Sequence, residues 1–263
     1  MNDTVEYINK KNIEYIKFKR LNEYDNLFHA ITLKKYNTGF KIKNNDKTRE
    51  ISVNKIKDII KVDNIIQLKQ NHTDNILISN DDIFEKSKNT YADGIITNKK
   101  NQASIITIAD CIPIIIYDPR KNVIANIHSG WKGTVQKIGI KAIEKMQKEF
   151  QSNKTDIIFC IGPCIRKECF LVNEDVVEIY QETFKNEINL DDIIEKTDLT
   201  NEKGIQYRID NVKLYKKMVK KIGLLEKNII DSNICTMCNS DEFHSRRKEG
   251  ENYQTNGSIT MLK

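Results

Sequence analysis

SIITIADCIPIIIYDPRKNVIANIHSGWKGT, residues 104–134, is the stretch from which the fold is read. Three apolar runs, Ser104 to Ala109, Ile112 to Tyr117 and Val123 to His128, are short and rich in isoleucine, and they lack the polar alternation of a half-exposed strand. They read as buried strands. Asp118-Pro119 marks the turn between the second and third. Ser129 to Thr134 then opens onto a helix: Val135, Ile138, Ala142, Met146 and Phe150 recur at helical spacing, Ile143 widens the stripe, and Thr134 is a plausible cap.

Upstream, Tyr15 to Lys19, Asn26 to Leu33, Gly39 to Lys43, Ile65 to Lys69 and Asn75 to Ile78 read as strands, with a helical stretch at Ile56 to Val62. Downstream, Ile157 to Ile161 is a buried strand ended by Gly162-Pro163. Asn173 to Phe184 and Asp210 to Ile222 are helices, and Ile259 to Leu262 is a final strand. Strands and helices mix without strict alternation, and the centre looks hairpin-like, so the class is α+β or a mixed layered sandwich. No repeat or Pro- or Ser-rich linker divides residues 1–263, and the three prolines are Pro113, Pro119 and Pro163, so one domain is expected.

With 39% hydrophobic and 30% charged residues, the chain can bury a core and keep a solvated surface. The N-terminal MNDTVEYINKKNIEYIKFKR has no continuous apolar run, so neither a signal peptide nor a membrane span is expected, and the expected location is the cytoplasm. In that reducing compartment the six cysteines are expected as thiols, not disulfides. The net charge of +6 is scattered, without basic blocks or basic-aromatic alternation, which fits a solvated surface and not a nucleic-acid or membrane partner. Anionic small molecules remain compatible with it.

The chain has four histidines, and His72 and His128 stand where apolar runs meet turns. Cys111 sits between two isoleucine-rich runs, beside Asp110. Each alone reads equally well as structural, Cys111 as an inert buried thiol. Together, two imidazoles and a thiolate suit Zn²⁺ with an open fourth position. With an axial methionine the same donors suit blue copper, so copper stays as the less favoured metal. Gly130, Lys132 and Gly133 would let backbone N–H groups and a positive charge meet phosphate, although the same glycines also suit an ordinary strand-to-helix turn with Trp131 plugging the core. Cys235 and Cys238 form a two-residue-spaced pair whose further ligands for a second, structural zinc would come from Cys160, Cys164 or Cys169. Arg246, Arg247 and Lys248 are an anion site or ordinary surface.

YADGIITN (residues 91–98), TIADCIPIIIYDP (107–119), NIHSGWKGT (126–134) and IGPCI (161–165), in this order, resemble the laccase-domain family, also called the YfiH or multicopper polyphenol oxidase family. The resemblance spans nearly the whole chain. It implies a single-domain layered α/β/β/α sandwich with mixed sheets, and one zinc on His72, Cys111 and His128. It also implies phosphorolysis of adenosine, inosine and methylthioadenosine, hydrolytic deamination of adenosine, and purine nucleosides and phosphate as partners of a monomer or weak homodimer. Within that frame Asp110 is the candidate proton carrier, Cys111 joins the catalytic set, and His29, Lys132 or Arg247 would assist phosphorolysis. The family's early His-Gly-Phe-(Ser/Thr)-Thr-Arg pattern appears as His29 to Lys34, so Lys34 stands for an anion-binding arginine, and Lys248 replaces a second one. The usual Gly-Arg is absent around Asn256-Gly257. Three rivals stand beside this assignment: a metal-free cysteine hydrolase using Cys111 and His128, a copper phenol oxidase, and a non-enzymatic protein that binds nucleosides or cell-wall precursors.

Overall fold

In the computed structural model, residues 3–41, 47–80, 82–87 and 89–263 are described. Along the chain run β1 (Val5–Lys10), β2 (Ile13–Phe18), β3 (Leu27–Thr32), α1 (Thr48–Ile60), β4 (Ile65–Gln67), β5 (Ile76–Ile78), α2 (Ile83–Ser87) and β6 (Gly94–Thr97). The centre is β7 (Ala103–Ile108), β8 (Ile112–Asp118), β9 (Val123–Ser129), α3 (Trp131–Val135), α4 (Ile138–Phe150) and β10 (Ile158–Ile161). Then come β11 (Leu171–Val172), α5 (Glu174–Phe184), β12 (Ile194–Asn201), β13 (Gly204–Ile209), α6 (Asn211–Lys221), β14 (Ile229–Asp231), α7 (Arg246–Glu249) and β15 (Asn256–Leu262).

There are two six-stranded mixed sheets, β1-β2-β3-β15-β7-β4 and β14-β10-β8-β9-β6-β5, and a separate small β11-β13-β12 sheet. Alternation along each strand assigns its two faces. On β8, Ile112, Ile114 and Ile116 face the helices α4, α5 and α6, packing with Ile143, Tyr180 and Tyr215. Ile115 and Tyr117 face the other way, meeting Ile16, Phe18 and Ile31 of the first sheet. That sheet's outer face carries Tyr15, Ile105 and Ile259 against Val53, Ile56 and Ile60 of α1. The layers are therefore α/β/β/α, and strands buried on both faces have no reason to alternate polar with apolar residues.

The central hairpin is real for β8 and β9, which pair from Ile112↔Ser129 to Asp118↔Val123. β7 is not part of it: it pairs with β15 and β4 in the first sheet, and the chain changes sheets across Ala109–Cys111, where Asp110 takes φ 85°. The helical stripe from Val135 to Phe150 is split, because Lys137 turns left-handed (φ 58°) between α3 and α4. Thr134 does not cap it; the residue lies inside α3 and its hydroxyl donates to the Gly130 carbonyl at 3.1 Å. Gly39–Lys41 form no strand, and the remainder of that expected strand, residues 42–43, lies outside the described residues. No helix among the described residues is long and apolar enough to cross a membrane.

A polar cluster sits in the apolar layer between the sheets. Asn126 of β9, fully buried, donates to the Ser258 carbonyl at 2.8 Å and accepts from the Ser258 hydroxyl at 2.9 Å, while Ser104 and Thr260 hydroxyls meet at 3.0 Å beside it. These bonds pin β9 against β15 and β7 in one register. Replacing Asn126 by alanine leaves Ser258 unsatisfied, so Asn126→Ala is expected to lower unfolding stability by about 1–3 kcal/mol. The check is a urea titration showing a lower midpoint at unchanged slope.

Candidate metal centre

His128 is the last inward-facing position of β9, two residues beyond Asn126, so it points into the mouth of the gap between the sheets. Cys111 lies at the crossing between the sheets, and His72 on the loop after β4. The three ligand atoms all lie within 4.8 Å of one another, with Cys111 Sγ 3.7 Å from His72 Nε2 and the imidazole rings nearly perpendicular at 80°. Tetrahedral zinc with ordinary Zn–N and Zn–S bonds spaces a nitrogen and a sulfur about 3.6 Å apart, so the donor set fits.

Asp93, fully buried, holds this arrangement. Its carboxylate accepts His128 Nδ1–H at 2.7 Å, the N–H of His72 at 3.0 Å, those of Asn71 and Thr73 at 3.2 and 2.7 Å, and the Thr73 hydroxyl at 2.8 Å. One side chain thus fixes the tautomer of one imidazole, leaving its Nε2 able to hold a metal, and wraps the loop of the other. His72 takes φ 55° in that wrapped loop. Burial pushes the Asp93 carboxyl up, but these donors hold it at about 2. Burial likewise raises the Cys111 thiol, yet the charge and hydrogen bond of His128, with His72, bring it down to about 6. Burial lowers His128, which the Cys111 thiolate and Asp93 lift to about 9. A thiolate is thus available without a strong base, as metal binding requires.

Gly130 completes the packing: a Cβ there would stand 2.6 Å from the His72 ring and 3.2 Å from Cys111 Sγ. The cage forms part of the wall between two cavities. The larger, about 690 Å³, is lined by His72 and Cys111 with Lys132, Trp131, Phe170 and Arg247. The smaller, about 360 Å³, is lined by all three ligands with Lys41, Arg49 and Tyr253. Arg246 reaches both.

A model of the multi-copper polyphenol oxidoreductase laccase family matches residues 28–263. The chain belongs to that family. It is 33% identical over 205 residues to a purine nucleoside phosphorylase of Clostridium acetobutylicum, covering 76% of this chain and 78% of that protein. It is also 33% identical over 158 residues to a purine nucleoside phosphorylase of Bacteroides thetaiotaomicron, a match over 60% of this chain that spans 56% of that protein's length. An adenosine deaminase, RL5, from an unknown prokaryotic organism is 27% identical, with 73% of each chain covered. Among solved structures, the fold matches Bacillus licheniformis YfiH (TM-score 0.82, 23% identity, 98% of this chain and 99% of that one). It also matches Geobacillus stearothermophilus YlmD (TM-score 0.80, 19% identity, 98% of each).

Within this laccase-family fold several expected site residues lie elsewhere. His29 is buried in β3, stacked on Phe18 and accepting the Phe18 N–H at 2.8 Å; burial lowers it to about 3, and it lines neither cavity. Lys34 is also outside both, bonded to the Ser240 carbonyl and 3.7 Å from Glu249. Gly133 faces Ser129, Ile138 and the Thr73 carbonyl, so it lets α3 pack closely, and it lines neither cavity. Asp110 lines the larger cavity, but its oxygens accept the Thr236 hydroxyl at 2.6 Å and the Arg247 N–H at 2.7 Å, which makes it a clamp on α7. The Arg247 guanidinium donates to the Cys169 and Leu171 carbonyls, each at 3.3 Å.

Asp93 is what the sequence reading missed. Arg246, offered by the sequence within the basic run at 246–248 as an anion site or ordinary surface, lines both cavities. For Asp93 the signal was an acid placed directly before the apolar Gly94–Thr97 strand. Asp93→Asn keeps the shape but removes the charge and leaves the His128 tautomer unspecified, so zinc affinity is expected to fall about 10- to 100-fold. Competition with a chromogenic chelator measures this; unchanged affinity would deny Asp93 its holding role.

Proposed function

We propose that this chain is a zinc-dependent purine nucleoside phosphorylase. It would convert adenosine, inosine and S-methyl-5'-thioadenosine, with phosphate, to the base and a pentose 1-phosphate, and deaminate adenosine by hydrolysis at the same site. The observation that carries this reading is a three-ligand, two-histidine and one-cysteine cage set in the wall between two cationic cavities. The names of the Clostridium and Bacteroides relatives and of RL5 support the two reactions.

The larger cavity has the size of a small-molecule site. Trp131 and Phe170 offer flat faces to a purine, and Asn71 and Asn211 offer amides to its edges. Lys132, Arg246 and Arg247 supply positive charge for phosphate, with Arg246 at the passage between the cavities. A zinc ion on His72, Cys111 and His128 would supply Lewis acidity, lowering the pKa of water and polarising a phosphate oxygen. In phosphorolysis a phosphate oxygen bonds to the anomeric carbon, the glycosidic C–N bond breaks, and the base leaves with the proton that the hydrogen phosphate gives up. Lys132 and Arg246 hold the anion in line for that attack. Asp110 acts by positioning Arg247, through its bond to that residue's N–H.

A multicopper oxidase would combine a blue-copper site and a three-copper cluster, which calls for many more imidazoles than the cage offers. His29 is held in the core, and His244 Nε2–H donates to the Thr38 carbonyl at 2.8 Å while its Nδ1 sits 3.3 Å from Glu249. The thiolate-favouring surroundings of Cys111 beside His128 lend support to one rival, a metal-free cysteine hydrolase.

The test follows adenosine with and without phosphate in zinc-loaded protein. Adenine formed only with phosphate, and inosine formed without it, are the expected products. Cys111→Ala is expected to lose both activities and most of its zinc; full activity in that variant rules out the proposal. Iodoacetamide inactivation without zinc loss, in protein still active after chelation, would instead establish the hydrolase.

A further inference from the structure

Away from the cage, a second group of soft donors comes together. Cys169, on the loop after β10, meets Cys235 and Cys238, on the turn after β14, with all three sulfurs within 4.8 Å of one another and Cys169 Sγ 3.3 Å from Cys238 Sγ. Cys160 is buried between the two sheets and Cys164 against the helical layer, so neither belongs to this group. Two thiolates on one tetrahedral zinc stand about 3.8 Å apart, a spacing that small side-chain rotations reach from here.

The backbone around the sulfurs is already fixed. The backbones of Cys164 and Cys235 pair as a short parallel β-bridge, with Cys164 N–H donating to the Ile234 carbonyl at 3.3 Å and Thr236 N–H to the Cys164 carbonyl at 3.1 Å. The Cys235 carbonyl accepts the Asn239 N–H at 3.1 Å and its side-chain amide at 2.8 Å. Cys235 is buried, Cys169 half-buried and Cys238 exposed, so an ion has a route in from solvent and a fourth coordination position open to water.

We propose that Cys169, Cys235 and Cys238 form a second metal site, a three-thiolate site for zinc that is separate from the His72–Cys111–His128 cage. Binding replaces three thiol protons, which pass to solvent, by three Zn–S bonds, and needs no oxidant. The ion would tie the 166–171 loop to the 235–238 turn. The Cys169 and Leu171 carbonyls on that loop hold the Arg247 guanidinium, so the second site would brace one wall of the larger cavity.

The test counts zinc per chain in full-length protein purified under reductant, loaded with zinc sulfate and desalted, for wild type, Cys111→Ala, Cys238→Ser and the Cys169→Ser/Cys238→Ser double variant. About two equivalents in wild type and about one in Cys111→Ala and in the double variant are expected. In wild type, Cys169, Cys235 and Cys238 should also react at least tenfold more slowly with iodoacetamide when zinc is present, a measurement that needs no variant to fold. One equivalent in wild type, unchanged in Cys238→Ser, overturns the site. So does equal alkylation with and without zinc, or a Cys169–Cys238 disulfide that persists under reductant. Because Cys111→Ala removes the cage alone, failure of either site is read independently of the other.

Discussion

A single buried carboxylate, Asp93, organises the centre of this molecule. Taken out of water, an aspartate is costly unless every lone pair is met, and here the partners are His128, the Asn71–Thr73 backbone and the Thr73 hydroxyl. Those partners lie on two separate segments. Satisfying one charge therefore brings β9 and the loop after β4 to the same point, and the chain supplies Cys111 there by crossing between the sheets. The cage depends on this electrostatic constraint as much as on the ligands themselves.

The sandwich provides the rigid frame. His128 faces the gap between the sheets because Asn126, two residues earlier, must face it too, and Asn126 is locked to Ser258 of β15. Gln70 adds a lateral tie: its side chain donates to the Thr107 carbonyl at 2.8 Å and accepts the Thr107 N–H at 2.7 Å, extending β4 beside β7 just before His72. The histidine loop is thus held by side-chain bonds that imitate a strand, which allows it to turn sharply at the next residues.

Much of this was legible in the sequence. Isoleucine-rich runs without alternation announced strands buried on both faces, and β8, β9 and β10 lie where those runs lie. The three proposed metal ligands come together as the residue types suggested. Other elements were hidden for physical reasons. β1 exposes most of its length, and β12 with β13 forms a largely solvated ribbon, so neither carries an apolar run. The break at Lys137 leaves hydrophobic spacing almost intact, since one left-handed residue changes direction without changing which residues are apolar. His29 looked functional because it is a histidine in a strand near familiar motifs. Its neighbours, Phe18 and the core between the sheets, are contacts across the sheet that local spacing does not report. The same applies to Cys169: the sequence offered it beside Cys160 and Cys164, and which of them meets Cys235, 66 residues after Cys169, is set by the pairing of β10 with β14 and of Cys164 with Cys235.

The chain's crossing between sheets at Cys111 has an effect on the whole protein. One cage ligand follows a strand of the first sheet, one belongs to a strand of the second, and the third lies on the link between them. A cation bound by all three acts as a rivet through the two sheets, and it binds the native arrangement in preference to the unfolded chain. Each tenfold rise in free metal above its dissociation constant then adds about 1.4 kcal/mol to folding stability. With a cation in the proposed cage, the amount of folded protein would follow metal supply, so scarcity would remove the molecule itself as well as its chemistry.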